Sequence, residues 1–160
     1  LTGITDSMLQ AEGVSKRDAA AAFSALLVHP NTLLVAYNAQ FDLCFLYYFL
    51  ARQKQANILQ GVKLLDAMTV YKDRHVYPHK LCNAIETYGL QGQNTHRAID
   101  DVKATLELLD AMATEEDDLA QYVNLFGYHP KYGVSGPRIS SVTYRPQGYE
   151  RHQKLYQSLP

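Results

Sequence analysis

Apolar and polar positions along the chain follow two periods, and the change from one to the other marks the elements. Thr5 before Asp6-Ser7-Met8-Leu9 predicts a short capped helix, and Ser15 with Asp18 three residues on predicts the opening of a helix over about 16–28, stopped at Pro30-Asn31. Leu33-Leu34-Val35-Ala36-Tyr37 is wholly apolar and bounded by turn residues, as suits a strand buried on both faces of a parallel sheet. From Ala39 to about Lys54 no Gly or Pro intervenes. Phe41, Phe45 and Tyr48 alternate there with Leu46, Phe49 and Leu50, so this helix is expected to be buried on more than one side. Val62–Asp66 reads as a second strand, followed by helices near 67–73 and 79–88, the latter closed by Gly89. Thr95 could cap a helix whose buried stripe is Ile99, Val102, Leu106 and Leu109, and the acids Glu115 to Asp118 are expected to solvate the way into another short helix.

Strands alternating with helices predict an α/β fold with a partly parallel sheet. Two strands are too few for a sheet whose faces these helices cover, so further strands are expected to precede Leu1. A length of 160 residues sets the scale of one domain, and 47% hydrophobic with 19% charged residues excludes a disordered chain. No apolar run reaches the length of a membrane span. Cys44 and Cys82 lack metal or disulfide spacing, which favours a reducing, cytoplasmic setting. Net charge is −1, yet residues 1–126 hold 10 Lys and Arg against 15 Asp and Glu, while 127–160 hold 5 against 1. The expected organisation is a main domain over 1–126 and a basic, Tyr-rich extension over 127–160.

Two segments carry candidate chemistry. In Tyr37-Asn38-Ala39-Gln40-Phe41-Asp42 a carboxylate stands where a strand gives way to a helix, the place where open α/β sheets put their sites. By themselves Asp42 could equally complement the helix dipole and Asn38 make a turn. In Thr95-His96-Arg97-Ala98-Ile99-Asp100-Asp101 a His precedes a helix with a carboxylate in its first turn. Asp101 could serve as a hard-metal ligand and His96 could deprotonate a water, or the acids could simply cap the helix beside a surface His. Asp100 lies about 100° round from Asp101 and is expected to be solvated.

Together, Asn-Ala-x-Phe-Asp after a buried strand and His-x4-Asp at a later helix start resemble the second and third motifs of the DEDDh 3′–5′ exonucleases. That family includes the proofreading epsilon subunit of bacterial DNA polymerase III. Thr2-Gly3-Ile4-Thr5-Asp6-Ser7-Met8-Leu9 is similar to the Gly-Ile-Thr segment between that family's first and second motifs, so the resemblance spans residues 1 to about 112.

The resemblance implies a ribonuclease H-like fold and a two-metal phosphodiester hydrolysis using Mg²⁺ or Mn²⁺. It implies Asp42 and Asp101 as metal-binding catalytic carboxylates, His96 as general base, and Gly3, Ile4, Thr5, Asn38 and Phe41 as nucleotide-binding residues. The implied partner is single-stranded or 3′-terminal DNA or RNA, with a polymerase or a second copy of the chain as further partners and no membrane. The family's first motif, Asp-x-Glu, occurs nowhere in the sequence. Two carboxylates facing two ions leave the chain expected to be inactive alone, and the rival reading is a non-catalytic nucleic-acid-binding or assembly module. The C-terminal stretch interleaves Lys131, Arg138, Arg145, Arg151 and Lys154 with Tyr128, Tyr132, Tyr144, Tyr149 and Tyr156. That composition suits a single-strand surface, or an arm packing its tyrosines on the domain.

Overall fold

The computed structural model describes residues 3–92, 97–149 and 153–158. Thr5 caps α1 (Asp6–Glu12), its side chain accepting from the Met8 N–H at 3.3 Å. Ser15 caps α2 (Lys16–Leu27): its oxygen accepts from the Asp18 N–H at 3.1 Å, and its hydroxyl donates to the Asp18 carboxylate at 2.7 Å. Strand β1 (Leu33–Ala36) runs into α3 (Ala39–Arg52), and β2 (Lys63–Asp66) runs into α4 (Ala67–Arg74). The two strands pair in parallel, Leu33 opposite Lys63 and Ala36 opposite Asp66, as a strand–helix–strand order dictates. Next come α5 (Leu81–Tyr88), ended by Gly89 at φ +61°, and α6 (Ala98–Glu115).

Side chains alternate across the sheet and feed two cores. Leu65, Val35 and Tyr37 join α4, α5 and α6 on one face; Leu64, Leu34 and Ala36 join α2 and α3 on the other. The C-terminal residues enter both cores: Leu155 reaches the first, and Phe126, Ile139 and Val142 the second. Two further strands, β3 (Leu125–Tyr128) and β4 (Thr143–Pro146), pair in parallel. The sequence pattern misses them because each holds a weak strand former, Gly127 or Pro146. The boundary expected at 126/127 runs through β3. Asn124, left-handed at φ 59°, joins the two sheets: its N–H donates to Leu64 O at 2.7 Å and its Oδ1 accepts from the Leu64 N–H at 2.8 Å.

Three expectations are corrected. The buried stripe of α6 is Ala104, Thr105, Leu108 and Met112, while Ile99, Val102 and Leu106 are exposed. The inner face packs against α5, and Val102 and Leu106 turn to an open cavity. On α3, likewise, Leu43 and Leu50 are buried, but Phe41, Phe45 and Tyr48 are exposed. The acidic run does lead, through exposed Glu115, Glu116 and Asp117, into the short 3-10 turn Leu119–Tyr122, but its last member Asp118 is buried between two cations. Arg74 reaches it at 2.5 Å and Lys154 at 2.8 Å, and Arg74 also pairs with Glu115 at 2.9 Å. Helix α5 begins at Leu81 rather than 79, and the Thr95 cap lies outside the described residues.

Candidate catalytic cavity

The turn from β1 into α3 is held from beneath by Asp66, the last residue of β2. Asn38 is left-handed at φ 66° and ψ 54°, a conformation that Asn tolerates better than most residues. The tight turn leaves the first N–H groups of α3 without helical partners. Asp66 Oδ1 accepts from the N–H groups of Asn38 at 2.9 Å and Ala39 at 3.1 Å, and also from Met68 at the start of α4 at 3.1 Å; Oδ2 accepts from the Thr69 hydroxyl at 2.9 Å. Thr69 in turn accepts from the Gly127 N–H at 3.0 Å. The carboxylate of Asp66 is fully buried; burial pushes its pKa up against these four donors, which favour the charged form. One residue thus serves two helix starts and joins both sheets.

Gln40 makes a second brace. Its Nε2 donates to Gly127 O at 3.0 Å and its Oε1 accepts from the Ser135 N–H at 3.0 Å. A side chain at Gly127 would meet the buried Gln147 amide, 1.9 Å from an ideal Cβ position, so this crossing is open to glycine alone.

So braced, α3 presents Asp42 from its first turn into a cavity of about 890 Å³. Helix α6 presents Asp101 from its own first turn into the same cavity. The rest of the wall is mainly apolar: Leu34, Val35 and Ala36 of β1, Phe41, Phe45 and Phe49 of α3, and Val102, Leu106 and Leu109 of α6, with Tyr37 and Thr105 adding hydroxyls. Asp42 and Asp101 are the charged residues of this wall. Burial against it pushes the Asp42 carboxyl above the usual carboxylate range, outweighing a hydrogen bond from its own backbone. The ring of Phe41 meets Phe45 edge-on at 4.9 Å.

The expected site residues therefore divide. Asp42, Asp101 and Phe41 share the cavity, and Asn38 forms the turn beneath it. Gly3, Ile4 and Thr5 lie exposed at the start of α1 and do not line it. His96 lies outside the described residues. Asp100 is half-buried and absent from the wall, unlike its neighbour Asp101. Sequence reasoning missed Asp66, Gln40 and Thr69. A visible signal existed for Asp66 alone, an Asp closing an apolar strand just before a helix, which is a capping pattern.

Among the described residues no group of three or more His, Cys, Asp or Glu stands close enough to hold a metal ion. The paired carboxylates match hard divalent ions in kind and fall short of a full ligand set in number. No helix among the described residues is long and apolar enough to cross a membrane. Among curated proteins none matches the chain. A family model described as Exonuclease matches residues 1–109, a stretch that contains the β1–α3 turn, Asp66 and both cavity carboxylates. The chain belongs to the exonuclease family.

Proposed function

We propose that this chain forms the greater part of a DEDDh-type 3′–5′ exonuclease domain, with the cavity between α3 and α6 as its catalytic centre. The observation that carries the reading is the convergence of Asp42 and Asp101, from the first turns of two different helices, on one otherwise apolar cavity. A structural role alone gives no reason for two carboxylates on an otherwise apolar wall, where for Asp42 partial burial disfavours the charged form.

In this reading Asp42 and Asp101 hold Mg²⁺ or Mn²⁺, and bound ions would supply charge stabilisation for an in-line phosphoryl displacement. His96 takes a proton from the attacking water. The new bond joins the water oxygen to the terminal phosphorus, the bond to the 3′ oxygen breaks, and a nucleoside 5′-monophosphate leaves. Phe41, exposed at the rim, offers its ring to the terminal base, and Asn38 fixes the turn that aims Asp42. Asp42 and Asp101 fall short of a full ligand set, so further ligands complete it. Among the described residues β1 is hydrogen-bonded to β2 on one side alone, and the exposed faces of α3 and α6 flank its free edge.

The test uses the full-length protein and a 5′-labelled oligonucleotide. Stepwise shortening from the 3′ end with Mg²⁺ or Mn²⁺, stopped by chelation and by His96→Ala, is the expected result. Metal-dependent binding without shortening would overturn it in favour of a binding module.

A further inference from the structure

We propose that the rings of Tyr77, His129, Tyr132 and Tyr149, with the buried ring of His79 stacked against Tyr149, form a base-stacking surface for the single-stranded part of a nucleic acid whose end lies in the cavity. This rests on the exonuclease reading and adds a second binding region to it. The tyrosines of residues 127–160 are not used alike. Tyr144 packs edge-on to Phe126 at 5.9 Å and Tyr156 edge-on to Tyr122 at 5.2 Å, so both serve the core. Tyr132 and Tyr149 stay 73% and 49% exposed, and Tyr77, from a different part of the chain, is 63% exposed.

These exposed rings are gathered. Tyr149 lies 5.0 Å from Tyr77, 4.9 Å from His129 and 5.9 Å from the His79 ring, nearly parallel to the last at 18°. His129 continues the contact to Tyr132 at 5.0 Å, and the ammonium of Lys131 stands 5.4 Å from the Tyr132 ring. An exposed aromatic cluster of this extent marks an interaction surface. The mutual contacts also restrict the rings before any partner arrives, which lowers the entropy lost on stacking.

Single-stranded nucleic acid fits better than a protein partner for two reasons. Lys131 stands beside the Tyr132 ring as a partner for a phosphate, whereas Lys154 is committed to Asp118 and Arg138 lies over Tyr144, and rings beside a cation accept any base face without demanding sequence. The cluster also joins the cavity wall: Tyr37 lines the cavity and its hydroxyl donates to His79 O at 3.0 Å. A strand whose terminal nucleotide occupies the cavity could lay its following bases over these rings.

The experiment measures binding of the full-length protein, in EDTA so that nothing is cut, to a fluorescein-labelled oligothymidylate and to an abasic oligomer with the same phosphates. Tyr132→Ala with Tyr149→Ala should weaken oligothymidylate binding by roughly tenfold or more. The paired Phe substitutions, which keep the rings, should bind as the parent does. The Ala pair should not alter abasic binding, and an unchanged melting temperature shows that the fold survives. Should the pair fail to fold, Tyr132→Ala alone serves, since that ring is the more exposed. Parent-like oligothymidylate binding by the Ala variants, or an equal loss on the abasic oligomer, would overturn the proposal. Shortening activity of the parent in Mg²⁺ decides the exonuclease reading separately.

Discussion

At the residue scale, Asp66 shows how much a site can depend on a group that touches no substrate. Its carboxylate collects the two N–H groups that shape the turn before Asp42 and one at the start of the next helix. Asp66→Ala would strand those donors, and we expect a loss of about 3 kcal/mol in urea unfolding. Asp66→Asn, which keeps the shape but not the charge, should cost less. Asp118 makes an electrostatic prediction. Burial alone would raise its pKa, but hydrogen bonds from Lys154 and Arg74 outweigh burial and hold it below the usual carboxylate range. A depressed folded pKa means stability that is complete above the unfolded value, about 4, and is lost as pH falls through the folded one. Thermal melts of the parent should therefore fall steeply below about pH 4, and Asp118→Asn should flatten that fall while lowering stability at neutral pH.

At the element scale, α3 and α6 account for both the legible and the illegible parts of the fold. The caps Thr5, Ser15 and Gly89 act over three or four residues, and the structure places them as the local pattern predicts. The β1–α3 junction was legible for the same reason, since a short apolar strand and a following Asn are local signals. What the pattern could not say was which apolar face of a two-faced helix meets the core. Helix α6 has Ile99, Val102 and Leu106 on one side and Ala104, Leu108 and Met112 on another, and the closeness of α5 selects the second. Strands β3 and β4 escaped because Gly127 and Pro146 weaken their strand pattern, and the Asp66 brace because its partners Asn38 and Ala39 lie far along the chain. Gly127 is the clearest example, its fitness for the crossing being set by Gln147 and Gln40. Gly127→Ala should destabilise the fold by about 2 kcal/mol in chemical denaturation, through overpacking against the buried Gln147 amide.

At the scale of the whole molecule, an open strand edge and a cavity of about 890 Å³ share one side of the protein. Apolar surface of that extent binds hydrophobic dyes and invites edge pairing. The 160-residue chain should enhance anilinonaphthalene sulfonate fluorescence strongly, and weak enhancement would show that the apolar cavity wall is covered. The central claim concerns the cavity itself, and neighbouring acids test it most directly. Asp101 lines the cavity and Asp100 does not. In the full-length protein Asp101→Asn should lower metal-dependent shortening of an oligonucleotide by more than the tenfold to hundredfold typical of residues that only support a metal ligand. Asp100→Asn should keep most of it. Equal activity of the two variants would contradict the assignment of this cavity as the catalytic centre.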